Sequence, residues 1–110
     1  MHPPVRLVAI DMDGTLLPTL TPEVSERNAR ALRAAQEAGI TLAIATGRRS
    51  AYTKPLLSGL RLRADTPLIT SNGSVTCTLD GETIDRSYMD ARVARGLCGL
   101  LRPFGAVVFT

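Results

Sequence analysis

The sequence contains no tryptophan, and aromatic residues make up only 4% of its 110 residues. Stacking platforms for nucleic-acid bases are therefore scarce. The net charge of +3 is spread along the chain with no basic stripe, so nucleic-acid binding is not indicated. Lysine is nearly missing as well, since twelve arginines and the single Lys54 supply all the positive charge. No apolar run approaches the roughly 20 residues of a membrane-spanning helix, and the first run is cut off at Asp11, too short for a signal peptide. The two cysteines, Cys77 and Cys98, match no metal-ligand spacing and read as two buried thiols of a soluble protein in a reducing, cytoplasmic setting. What remains has the length and balance of one globular domain, 45% hydrophobic and 21% charged.

The pattern of elements is strand, helix, strand, helix, strand. Val5 to Ile10 is an apolar run that reads as a buried strand. Thr21 as N-cap, Pro22 at the first helical position and Glu23 in the first turn open an amphipathic helix over residues 23–38, closed by Gly39. Ile40 to Ala45 has the continuous apolar character of a parallel strand covered on both faces. A second helix is expected from about Ser50 to Leu60 despite Pro55, and a third strand from Pro67 to Thr70. This alternation predicts a Rossmann-like α/β fold around a parallel sheet.

After Gly73 the character changes. Val75 to Leu79 and Glu82 to Arg86 flank Asp80-Gly81, a dipeptide typical of a two-residue hairpin turn. Asp90 can cap a helix running to about Arg102, with Pro103 and Gly105 beyond it. Ala106 to Thr110 reads as an apolar strand with no turn or polar tail after it, which gives the chain the look of one cut short. An unpaired strand of this kind is expected to drive self-association.

Chemistry concentrates where the strands end. Asp11 and Asp13 stand at the end of the first strand, where a carboxylate needs a cation or several donors to offset desolvation. Gly14 permits a tight turn, so that the amides around it, from Met12 to Thr15, can face an anion. Thr46 offers a hydroxyl, the helix starting near Gly47 adds donors, and Ser71-Asn72-Gly73 closes the third strand. In open parallel sheets ligands bind outside the carboxyl ends of the strands, so these three clusters are expected to converge. Phosphate donors beside acids suited to Mg²⁺ point to phosphoryl transfer. Asp11 can attack phosphorus and Asp13 can serve as general acid, then base. A calcium loop beginning at Asp11 is excluded, because it would need glycine in place of Leu16 and glutamate in place of Pro22. Arg48 and Arg49 are open to two readings, solvated arginines at a helix start or a contact to the substrate phosphate, and only one of the two can readily face the site; neither they nor His2 nor Lys54 receives a catalytic role.

Asp11-Met12-Asp13-Gly14-Thr15-Leu16-Leu17 resembles the first motif of the haloacid dehalogenase superfamily, and Ala45-Thr46-Gly47-Arg48 resembles its second. With Ser71-Asn72-Gly73-Ser74 and the hairpin, the likeness is to the Cof-type sugar-phosphate phosphatases, as the opening portion of such a protein. The resemblance implies an incomplete core over residues 1–74, followed over residues 75–110 by the start of an inserted α/β cap domain. It implies Asp11 as nucleophile and Mg²⁺ ligand, and Asp13 as acid/base and ligand through its carbonyl. Thr46 would be a phosphate contact, with Met12, Gly14, Thr15, Gly47 and Asn72 around it, and the substrate a small phosphorylated metabolite. The family's late lysine and distal acids have no counterpart here, since Lys54 follows the second motif too closely. Two readings follow: a Mg²⁺-dependent phosphatase present as its N-terminal portion, or an inactive phosphate- or metal-binding module that needs a partner chain or a missing C-terminal half.

Overall fold

The computed structural model describes residues 2–18 and 23–105. Five strands form one sheet in the order of the sequence: β1 (Leu7–Asp11), β2 (Thr41–Ala45), β3 (Pro67–Thr70), β4 (Val75–Thr78) and β5 (Thr83–Arg86). The first three run parallel, with Asp11 beside Ala45 and Ala45 beside Ile69. The last two are antiparallel additions on β3. The fold is α/β, as expected, with a sheet that is parallel on one side and antiparallel on the other.

Burial follows position in the sheet. Leu42, Ala43 and Ile44 of β2 are all buried, the pattern of a strand covered on both faces of the sheet. β1 differs from expectation: it has one partner among the described residues, its burial alternates, and Leu7 is 56% exposed. An apolar run alone does not distinguish a central strand from an edge strand.

The helix α1 (Glu26–Glu37) begins later than the proline signal suggested. Ser25 is its N-cap, accepting from the Asn28 amide at 3.2 Å, while Thr21 and Pro22 lie outside the described residues. A serine hydroxyl within reach of a free helical amide is the stronger start signal here. Ala29 and Leu32 are buried on this helix, which packs against β2. The helix α2 (Ser50–Leu57) tolerates Pro55 near its end and continues as a 3₁₀ turn over Ser58–Leu60. The core gathers Met12, Leu16 and Leu17 from the first loop with Leu32, Ile44, Leu57, Leu68 and Cys77.

The hairpin joining β4 and β5 is not a two-residue turn. Gly81 donates to the Thr78 carbonyl and Thr78 donates to the Glu82 carbonyl at 2.8 Å, leaving Leu79, Asp80 and Gly81 as a three-residue loop with Gly81 at φ 110°. That is a tight turn closed by a bulged glycine. Thr78 explains the extra residue, because its hydroxyl donates to Asp80 and accepts from the Glu82 amide at 2.9 Å. The helix α3 (Ala91–Leu101) is capped by Asp90 as expected, but buries no residue, and Cys98 is half-buried where a buried thiol was expected. The strand expected over Ala106 to Thr110 lies outside the described residues.

Candidate active site

Three loops leave the same end of the sheet because β1, β2 and β3 are parallel and in close register. Backbone bonds then stitch the loops together. The Met12 amide donates to Ala45 O at 3.1 Å, the Thr46 amide to Ile69 O at 2.9 Å and the Ser71 amide to Arg48 O at 2.9 Å. The convergence expected of Asp11, Thr46 and Asn72 is thus produced by strand register, and each loop is held to its neighbour by at least one amide.

Asp11 ends β1 with its side chain exposed and bonded to nothing among the described residues. Asp13 is exposed too, but its carboxylate is occupied. Arg48 grips it with Nη2 to Oδ1 at 2.6 Å and Nε to Oδ2 at 3.1 Å, the two-pronged geometry that guanidinium and carboxylate favour. The buried Thr46 lies below this pair. Its Oγ1 approaches Asp13 Oδ2 at 3.5 Å and accepts from the Arg48 amide at 3.1 Å. Arg48 is therefore the arginine of the pair that faces the site, although the sequence reading kept both out of the catalytic set. The signal was present: an arginine just after Thr46-Gly47 sits at the same sheet end as Asp13, and only one arginine of the pair can face it.

Asn72 reaches the site from the third loop. Both Ser71 and Asn72 adopt left-handed backbone, at φ 50° and 54°, an arrangement asparagine accepts more readily than most residues. A Cβ added to Gly47 would stand 2.8 Å from Asn72 Oδ1, so the absence of a side chain at Gly47 is what lets the Asn72 amide lie there. Gly47 and Asn72 are neighbours.

The first loop is arranged differently from expectation. Met12 is wholly buried and its amide is bonded to Ala45, the Gly14 amide donates to Leu17 O at 2.9 Å, and the Thr15 amide reaches Met12 O at 3.4 Å. All three amides meet carbonyls of the protein. The amides of Asp13 and Gly47, in contrast, donate to no acceptor among the described residues. α2 starts at Ser50, beyond Gly47, so its first turn does not supply the donors expected there.

Asp11 and Asp13 bring hard oxygen donors to one place, the type that Mg²⁺ selects. Asp11 is unencumbered and Asp13 retains its backbone carbonyl. Among the described residues no third acid, histidine or cysteine joins them. The residues present fit part of a magnesium shell.

The family model of the haloacid dehalogenase-like hydrolases matches residues 8–109. The chain belongs to this family. Among curated relatives, the HMP-PP phosphatase of Shigella flexneri is 42% identical over 91 residues, which span 81% of this chain and 32% of that protein. Its counterpart in Escherichia coli (strain K12 / DH10B) is 41% identical over the same length and coverage. A haloacid dehalogenase-like hydrolase from B. subtilis shares the fold at a TM-score of 0.79 and 31% identity, covering 91% of this chain and 34% of its own. A phosphatase of the haloalkanoate (HAD) enzyme superfamily from Bacteroides thetaiotaomicron matches at a TM-score of 0.79 and 29% identity, covering 91% of this chain and 36% of its own. This haloacid dehalogenase-like chain spans about a third of the length of the curated relatives it matches. None of its described helices is long and apolar enough to cross a membrane.

Proposed function

We propose that this chain carries the nucleophile and general-acid half of a Mg²⁺-dependent phosphatase acting on a small phosphorylated metabolite. The observation that carries the reading is the meeting of an unencumbered Asp11 with Asp13, Thr46, Gly47 and Asn72 at one end of a parallel sheet. Asp11 attacks phosphorus, forming an aspartyl phosphate as the bond to the leaving oxygen breaks. Asp13 protonates that oxygen and then takes a proton from the water that releases phosphate. Before it can do so Asp13 must part from Arg48, and an arriving phosphoryl group offers Arg48 an alternative pair of oxygens.

Thr46 Oγ1 and the amides of Asp13 and Gly47 are the donors nearest to hand for the phosphoryl oxygens. Of the first-loop amides expected to help, that of Thr15 has the longest bond, 3.4 Å, and is the easiest to exchange for an anion. Met12 and Gly14 would join only through a rearrangement of the loop. The Asp11 carboxylate and the Asp13 carbonyl would hold Mg²⁺, which would supply shielding between the attacking carboxylate and the anionic phosphate.

The two-domain organisation belongs to the same proposal. Because β4 and β5 extend the core sheet, a boundary after Arg86 is favoured over one after Ser74, with α3 opening the inserted unit. The free cysteines suit a reducing, cytoplasmic setting. The alternative, an inactive phosphate- or metal-binding module, draws on one observation: only two acids meet at this site among the described residues. Losing one preorganised charge-stabilising group commonly costs about 10² to 10³ in rate. The chain on its own is therefore expected to show negligible phosphomonoesterase turnover with Mg²⁺, and a robust rate abolished by Asp11→Asn would show instead that this half-site suffices. The phosphatase reading itself is tested by trapping. Beryllium fluoride with Mg²⁺ should perturb Asp11 and Thr46 resonances in the wild type and leave Asp11→Asn unchanged; no perturbation in either would remove the reading.

A further inference from the structure

A second basic feature adjoins the loop that carries Arg48 and is not used by the aspartate pair. Between α2 and the β4–β5 hairpin is a cavity of about 380 Å³ whose wall includes Arg49, Lys54 and Arg86 together with Ser50, Ser74 and Thr83. Among the described residues lining it there is no carboxylate. Arg49, the arginine that does not grip Asp13, lies on this wall, as does the chain's one lysine.

The three cations come from different elements and are partly fixed. Arg86 Nη2 donates to Thr83 Oγ1 at 3.2 Å. The Lys54 ammonium lies against the hairpin loop, 3.0 Å from where a Cβ on Gly81 would stand. None of the three makes an ion pair within 4.0 Å among the described residues, although Arg33, Arg48 and Arg63 all do. Asp80, which Lys54 influences electrostatically, has its carboxylate bonded to the Thr78 hydroxyl. Three unpaired positive charges facing one cavity repel one another, and the arrangement becomes favourable when an anion enters.

We propose that this cavity is a second anion site, which holds a phosphate or carboxylate group of the substrate other than the phosphoryl group transferred at Asp11. It rests on the phosphatase reading for its place in catalysis, and it is physically joined to that site, because Ser71 lines the cavity while its amide is bonded to Arg48. The substrate class is then narrowed to phosphate esters with an additional anionic group. Arg49, Lys54 and Arg86 are the residues that select it, by charge and by hydrogen bonds to its oxygens.

Titration with inorganic phosphate, followed through the amide resonances of ¹⁵N-labelled protein, tests this directly. Saturable shifts at Ser50, Ser74 and Thr83 are expected, with affinity falling about three- to tenfold in Lys54→Gln and in Arg86→Gln while shifts at Asp13 and Gly47 persist. Shifts confined to Asp13 and Gly47 would overturn the second site and leave the phosphatase reading standing. Shifts confined to the cavity would uphold the anion site and count against the phosphatase reading instead. Unchanged affinity at the cavity in both variants, each still giving a folded spectrum, would also overturn the proposal.

Discussion

Arg48 holds Asp13 by both oxygens, with Nη2 to Oδ1 at 2.6 Å and Nε to Oδ2 at 3.1 Å. The pair sits over Thr46 and ties the second loop to the first. Its partners are 46% and 49% exposed, so its contribution to folding is small, while its effect on what Asp13 can do next is large.

Arg48→Ala is accordingly expected to lower stability by less than about 1 kcal/mol, measured as a shift in urea midpoint at constant slope. The same substitution removes a positive charge beside Asp13 and should tighten Mg²⁺ binding, read by calorimetric titration, by about three- to tenfold. Weaker Mg²⁺ binding in the variant would show that Arg48 organises the loop for the metal and does not compete with it.

Gly47→Ala separates folding from site geometry. The new Cβ would crowd Asn72 Oδ1 at 2.8 Å, and the amide end of Asn72 can swing away without disturbing the sheet. Stability should stay within about 1 kcal/mol of wild type, since reduced freedom of the unfolded chain offsets part of the crowding. The Asn72 side-chain amide resonances should move and phosphate-induced shifts at Gly47 weaken. An unmoved Asn72 resonance would mean that the backbone at Gly47 yields instead.

The hairpin gives a pH prediction. The Asp80 carboxyl is held below its usual value, chiefly by the Thr78 hydroxyl, then by the Glu82 amide and by Lys54. A carboxyl lowered in the folded state contributes stability above its unfolded value, which is lost as pH falls through the folded one. Asp80→Asn should therefore be less stable than wild type near neutrality, and the difference should shrink as pH falls below about 5 and through the folded carboxyl's lowered value in urea titrations. A difference that does not change across that range would assign the effect to hydrogen-bond geometry and not to charge.

Much of this was legible in the chain because it depends on local pattern. The three parallel strands, α2 from Ser50 and the cap at Asp90 follow from apolar periodicity and turn chemistry. The meeting of Asp13, Thr46 and Asn72 followed from the rule that ligands gather at strand carboxyl ends. What escaped depends on partners distant in sequence. That β1 has one partner among the described residues is decided by which strands flank it, and that Arg48 faces Asp13 is decided by side-chain direction across two loops. The engagement of the Met12 and Gly14 amides by Ala45 and Leu17 is a matter of hydrogen-bond allocation that no spacing of residue types reveals. Likewise Ser25 outcompeted the proline signal for the start of α1 through one bond to Asn28.

In the described sheet each strand lies beside the strand that precedes or follows it in the chain. Such a sheet can be laid down in the order in which a ribosome delivers it, every new strand finding its template already in place, through helical crossovers for the parallel strands and short turns for the last two. Asp11, Asp13, Thr46, Gly47 and Asn72 are then all in position once β3 and its loop have emerged, before the hairpin or α3 has been made.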